Sequence, residues 1–198
     1  MLSVVVQAGG ESSRMGQDKG LVRFLGEPLI QRVLGRLRPI ADEVLVTTNH
    51  PEDYAFLGVR LAPDLLPGRG ALGGLYTALS AASQPYAAVV ACDMPFASRE
   101  LLEALLERLE RGGADLSIPR TEGGLEPFHA VYRRETCLPH ILAALEAEKR
   151  RVDAWFARVT LDLVREEEWQ KIDPEGLAFL NVNTPDELHQ AEEKALSN

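Results

Sequence analysis

Leu2-Ser3-Val4-Val5-Val6, followed by Gln7-Ala8-Gly9-Gly10-Glu11-Ser12-Ser13-Arg14-Met15-Gly16-Gln17-Asp18-Lys19, is the stretch on which the reading of this chain turns. The first five residues form an apolar, β-branched run of the kind that makes a buried strand. Glycines directly after such a strand allow a tight turn and a close backbone approach to a ligand. Backbone N–H groups aimed into that turn make an anion-binding concavity. Arg14 and Lys19 add two positive charges to the same loop. Strand, glycine turn and paired cations together predict a cradle for a polyphosphate.

Counting excludes two familiar phosphate loops. After Gly9 and Gly10 the next glycine is Gly16, so the dinucleotide fingerprint G-x-G-x-x-G is absent. Gly16 is followed by Gln17-Asp18-Lys19-Gly20, which lacks the Gly-Lys-Ser/Thr of a P-loop. Composition narrows the partners. A net charge of −9 argues against a nucleic-acid surface, which is normally basic. It leaves a nucleotide ligand open, because local cations and a metal ion decide that binding. An apolar content of 45% with 26% charged residues is ordinary for a globular chain, and no stretch approaches a membrane span. The N-terminal apolar run is short and lacks a basic lead, which predicts no secretory signal. Cys92 and Cys137 form no metal-type pair, and two cysteines in such a chain predict a reducing, cytoplasmic setting.

Strand-like and helix-like segments alternate along the 198 residues. That pattern predicts an α/β fold: one Rossmann-like three-layer domain over residues 1–198, with a mostly parallel central sheet. Pro28 is placed to open a helix at its first position, with Leu29, Ile30, Val33, Leu34 and Leu37 at helical spacing and Pro39 near its end. Strands are predicted at Glu43–Thr48, Val59–Ala62 and Tyr86–Ala91, and a helix at Ser98–Glu110. The glycine-rich stretch Gly68–Gly74 leads into a helix carrying Leu75, Tyr76 and Leu79. Strands follow at Asp115–Pro119 and Phe128–Tyr132, then helices at Leu138–Glu148 and Val152–Arg158. Leu161–Val164 and Ala178–Val182 complete the strands. Thr184-Pro185-Asp186-Glu187 opens a last helix with a capping box.

Asp93 is the second informative position. In Ala91-Cys92-Asp93-Met94-Pro95 it lies just past a buried strand, where open α/β sheets bind ligands. A hard oxygen ligand there suits Mg²⁺, commonly held by one or two carboxylates plus substrate phosphates. Near the end, Asn181-Val182-Asn183-Thr184-Pro185 puts both asparagines on one face of the expected strand. Asn183 also precedes the capped helix, where free N–H donors converge.

The loop at 7–19 resembles the nucleotidyltransferase signature x-A-G-G-x-S-x-R-M-G-x-D-K, and Cys92-Asp93-Met94-Pro95 resembles C-D-x-P. With Glu126-Pro127-Phe128-His129-Ala130-Val131-Tyr132 and the terminal N-x-N-T-P, the chain is similar to the molybdenum cofactor guanylyltransferases. The resemblance implies a fold of the nucleotide-diphospho-sugar transferase type, with Mg²⁺ as cofactor. It implies GTP and molybdopterin or molybdenum cofactor as substrates, and it admits cofactor-delivering or molybdoenzyme partner proteins. Arg14, Lys19 and Asp93 take the catalytic roles, with Asp93 as the metal ligand. Gln7, Ala8, Gly9, Gly10, Asn49, Asp64, Gly73, Asn181 and Asn183 join Lys19 and Asp93 as nucleotide- or acceptor-binding positions. Gln7 stands where the family commonly has an apolar residue, and Ala71 stands where proline is usual in G-P-L-x-G.

Several residues are read as structural. His129 is expected on a strand, Trp155 and Trp169 in packing, and Glu166-Glu167-Glu168 on a solvated face. Arg150-Arg151 is a basic pair of the kind that is usually solvated, and the phosphate of an anionic acceptor is its alternative partner. Two other functions share the first loop. One is a transferase using CTP or a sugar-phosphate acceptor. The other is a nucleotide-binding accessory protein without turnover, which would have less need of a metal ligand such as Asp93.

Overall fold

The computed structural model of the chain describes residues 1–8 and 18–197. Leu2–Gln7 forms β1, buried through Val6, as a Val-rich run in a parallel sheet requires. A small antiparallel ribbon, β2 (Arg23–Phe24) and β3 (Glu27–Pro28), leads into α1 (Leu29–Leu37). Next come β4 (Glu43–Thr47), α2 (Pro51–Tyr54), β5 (Arg60–Ala62), α3 (Gly70–Ala81) and β6 (Tyr86–Ala91). The second half runs α4 (Arg99–Arg111), β7 (Leu116–Thr121), β8 (Gly124–Leu125), β9 (His129–Arg133) and α5 (Arg134–Glu146). The described chain closes with β10 (Leu161–Val164), α6 (Glu166–Trp169) and α7 (Pro185–Ser197).

The main sheet has the order β10-β7-β9-β6-β1-β4-β5, with β8 paired to β7. β1 lies parallel between β4 and β6, β4 is parallel to β5, and β10 is parallel to β7. β9 alone in that order runs antiparallel to both of its neighbours. The sheet is therefore mostly parallel, as the alternation predicts. β1 sends the chain first towards β4 and β5, then back to β6 on its other side. The carboxyl ends of β1 and β6 thus sit together at the reversal of strand order, the place where such sheets bind ligands.

Helices cover both faces, giving three layers. Ile30, Val33, Leu34 and Leu37 of α1 join Leu101, Leu102, Leu105 and Leu109 of α4 against Leu2, Val4 and Val6. On the opposite face Leu72, Leu75 and Leu79 of α3 join Ile141 and Leu145 of α5 against Val5 and Val89. Each fully buried leucine contributes about 1.5–3 kcal/mol, so these two faces dominate the cohesion of the fold. Ser98 caps α4 by accepting the Leu101 N–H at 3.1 Å.

Three local expectations are corrected. Pro28 is the residue before α1 rather than its first turn, because its extended backbone (ψ 137°) pairs with Arg23 in the ribbon. Residues 178–182 form no strand. Gly176 adopts a left-handed conformation, Asp173 captures the Ala178 N–H at 2.7 Å, and Leu177–Phe179 closes into a 3-10 turn. Val152–Arg158 likewise forms turns and a 3-10 segment at Phe156–Arg158 instead of an α-helix.

Candidate active site

Asp93 follows the last residues of β6. The Cys92 N–H donates to the Gln7 carbonyl at 3.0 Å, which extends the β1–β6 pairing to the sheet edge. The Asp93 carbonyl then accepts the Val182 N–H at 2.9 Å, tying this loop to the segment before α7. Lys19 begins a 3-10 turn capped by Asp18, whose Oδ1 accepts the Gly20 N–H at 3.1 Å. From that turn the Lys19 ammonium donates to Asp93 Oδ2 at 3.1 Å and to Asn183 Oδ1 at 2.5 Å. Residues 19, 93 and 183, far apart in the chain, therefore meet at one point.

Local hydrogen bonds fix each partner. Thr184 and Glu187 form the expected capping box, with the Glu187 N–H on Thr184 Oγ1 and the Thr184 N–H on Glu187 Oε2, both at 3.2 Å. Glu187 Oε2 also accepts the Asn183 N–H at 2.6 Å, which orients the residue that receives Lys19. Asn183 is half-buried while Asn181 is exposed and donates to the Phe179 carbonyl. The asparagines thus diverge, since the strand that would align them is not formed.

Asp93 is 14% exposed, and its Oδ1 is buried without a hydrogen-bond partner among the described residues. A buried carboxylate oxygen left in that state costs about 1–3 kcal/mol or more unless something completes it. A hard divalent cation is the natural complement, so the donor set at Asp93 and Asn183 fits a divalent metal ion.

The remaining positions divide by surroundings. Ala8 is buried and its N–H donates to the Thr47 carbonyl at 2.8 Å, so that donor is taken by the sheet. The Gln7 carboxamide lies against α3: a Cβ on Gly74 would sit 3.3 Å from Gln7 Nε2, itself buried and without a described partner. Gly73 faces elsewhere. A Cβ there would come within 2.6 Å of Arg69 Cβ and 3.1 Å of the Leu66 carbonyl, so its lack of a side chain serves packing against the preceding loop. Asp64 Oδ1 accepts the Leu66 N–H at 3.0 Å and the Thr77 hydroxyl at 2.7 Å, which pins the loop entering α3. Asn49 is exposed just beyond β4. The readings of Gly9, Gly10 and Arg14 lie outside the described residues.

His129 is fully buried, and its Nε2 accepts the Ser98 N–H at 3.0 Å. Burial pulls its pKa down to about 4, so the ring is neutral and structural. Trp155 and Trp169 are buried, and Trp169 donates to the Arg120 carbonyl at 3.0 Å. Arg150 is exposed, and Arg151 pairs with neighbouring Asp153. Cys92 and Cys137 are free and buried, and burial pushes Cys137 up to about 12. Sequence reasoning missed Tyr54, Thr77 and the reach of Glu187 back to Asn183. Only the capping box gave a signal for the last of these.

A doubly wound sheet with a lysine, a carboxylate and an amide converging at its reversal point describes a nucleotide-handling α/β protein. The chain belongs to the family of MobA-like NTP transferase domains, whose model matches residues 4–163. It is 39% identical over 187 residues to a probable molybdenum cofactor guanylyltransferase of Pelotomaculum thermopropionicum, covering 94% of this chain and 90% of that one. A molybdenum cofactor guanylyltransferase of Desulfosudis oleivorans is 32% identical over 189 residues, covering 95% and 93%. The crystal structure of molybdopterin-guanine dinucleotide biosynthesis protein A from Archaeoglobus fulgidus superposes with a TM-score of 0.85 at 29% identity, covering 99% and 100%. Among the described residues, no helix is long and apolar enough to cross a membrane.

Proposed function

We propose that this chain transfers GMP from GTP to the terminal phosphate of molybdopterin or its molybdenum-bearing form, releasing pyrophosphate. The observation that carries the reading is the Lys19 ammonium held between Asp93 and Asn183 at the edge of β1 and β6. Family membership and the guanylyltransferase relatives support the choice of donor and acceptor.

Nucleotidyl transfer needs an acceptor oxygen in line with the α-phosphorus, and the protein mainly positions reactants and offsets developing charge. Lys19 would meet the triphosphate, with Arg14, Gly9 and Gly10 offered by the resemblance as further contacts. Asp93 would hold Mg²⁺, with Asn183 as a neighbouring oxygen donor. A divalent cation there supplies charge neutralisation across the phosphates and the departing pyrophosphate. Gln7, packed on Gly74, would meet the nucleotide on the α3 side, with Asp64 and Asn49 at the adjoining strand ends. Ala8 and Gly73 would contribute by shaping the backbone, and Asn181, exposed and turned away from Asn183, would meet the acceptor from outside. An ionised phosphate acceptor needs no general base, which agrees with a neutral, buried His129 occupied by Ser98. Free, buried cysteines favour work in a reducing cytoplasm, and cofactor-delivering or molybdoenzyme proteins would take the product.

Pyrophosphate release from GTP, CTP and UTP, each with purified molybdopterin and Mg²⁺, tests the reading. GTP should be preferred by at least about tenfold, the discrimination expected from one or two base contacts. Preference for CTP would reassign the base, and binding without release would make the chain an accessory protein.

A further inference from the structure

Tyr54 ends α2, a four-residue helix with no periodic apolar pattern. It is fully buried in the same apolar cluster as Ala8, Cys92 and Met94, directly beneath the site. Its hydroxyl donates to Asp18 Oδ1 at 2.5 Å. That same oxygen accepts the Gly20 N–H at 3.1 Å. Asp18 is thus fastened by its side chain and Gly20 by its backbone, with Lys19 between them. Gly20 is itself shaped by the phenol: a Cβ there would lie 2.6 Å from Tyr54 Oη, where nothing fits without movement. Burial and the bond to Asp18 raise the phenol far above its ordinary range, so it remains a donor.

We propose that Tyr54 is a positioning residue for Lys19: its hydroxyl clamps Asp18 and fixes the turn from which the ammonium reaches the triphosphate. This rests on the reading of Lys19 as a phosphate-binding cation. A lysine side chain has long reach and many rotamers, so the placement of its backbone decides where its charge falls. Once released, the Asp18 carboxylate competes for the adjacent ammonium and repels an incoming polyanion. Loss of the clamp therefore weakens triphosphate binding more than it slows the chemical step.

The test combines steady-state kinetics of GTP turnover with calorimetric binding of inorganic tripolyphosphate, which requires neither base nor acceptor. Tyr54→Phe should raise the KM for GTP roughly tenfold, the scale of one lost hydrogen bond to a charged group, and change kcat by less than about threefold. Tripolyphosphate binding should weaken in parallel. Gly20→Ala, which displaces the same hydroxyl from the other side, should reproduce the defect in a chain that keeps its tyrosine. Combined with Tyr54→Phe, that alanine meets no hydroxyl, only ring carbons at 3.2 and 3.3 Å that need give way by a few tenths of an ångström, and should add less than about twofold. An unchanged KM in Tyr54→Phe overturns the proposal, as does a Gly20→Ala penalty of equal size with and without the hydroxyl. A wild-type protein that binds tripolyphosphate yet ignores GTP would defeat the guanylyl reading alone. One that binds neither would remove the basis of both.

Discussion

Two ionic clusters of this molecule, one around Arg108 and one around Lys19, are built differently. Around Arg108 on α4, every acceptor is taken. The guanidinium donates to both Asp162 oxygens at 2.6 and 2.7 Å and to Glu168 at 3.0 Å. Ser117 supplies a further bond to Asp162, and the Arg165 N–H completes Glu168. Around Lys19, by contrast, Asp93 uses one oxygen and keeps the other buried and unpaired among the described residues. A satisfied network belongs to the fold, whereas a buried acceptor left incomplete beside a cation leaves room for a ligand to complete it. Glu168 therefore belongs to a structural cluster, although the acidic run at 166–168 reads as a solvated face.

The largest expected effect tests the open cluster. Asp93→Ala and Lys19→Ala should each remove measurable turnover, a loss of at least about 10²–10³ in rate or roughly 3–4 kcal/mol. Asp93→Ala should melt close to wild type, because it removes a half-satisfied carboxylate, whereas Lys19→Ala leaves the second Asp93 oxygen without its partner and should cost about 1–3 kcal/mol of stability. Pyrophosphate release near the normal rate in either variant, with the fold intact by circular dichroism, would falsify the assignment.

An orphaned polar atom is not by itself a binding site, and His129 sharpens that boundary. Its Nδ1 is buried without a described partner, yet its Nε2 supports Ser98, the cap of α4, and its ring packs edge-on to Phe179. Its folded pKa of about 4 lies below the ordinary 6.5. Between those values the unfolded chain binds more protons than the folded one. This group's contribution is therefore intact above pH 6.5 and is lost as pH falls towards 4, a change of roughly 3 kcal/mol. Thermal melts at pH 7 and pH 5 should show a larger drop for wild type than for His129→Gln. Equal drops would mean that the histidine does not stay neutral in the folded protein.

How much of this was legible in the sequence depends on whether the signal was local. Tyr86–Ala91 is a strand over the residues that its apolar run marks, because burial on both faces leaves little freedom of register. Ser98 and the Thr184–Glu187 box announce their helices through side chains that reach only three residues. Asp93 was legible because a strand end and a carboxylate are adjacent in sequence. Strand direction was not: nothing in His129–Arg133 encodes that it runs against both neighbours. The 178–182 segment misled because its apolar run says nothing of Asp173, five residues upstream, capturing the Ala178 N–H. Tyr54 was invisible, since its partner Asp18 lies 36 residues away.

The smallest effect belongs to the closed cluster, and it is the sharper test of the contrast. Arg108 is 38% exposed, so solvent screens much of its pairing, and Arg108→Ala should cost only about 1 kcal/mol. Turnover should be unaffected, because no atom of this cluster contacts Lys19, Asp93 or Asn183 through a described hydrogen bond. The pH dependence carries more information than the size. The Arg108 hydrogen bonds hold the Asp162 carboxyl below its ordinary 3.8. Its stabilisation is therefore present above that value and lost as pH falls below it. Acid titration of stability should show this loss in wild type and not in Arg108→Ala, leaving the two proteins more alike at about pH 2.5 than at pH 7. If the variant instead lost activity at pH 7 while keeping its melting temperature, the closed network would be coupled to the site, and the division between the two clusters would fail.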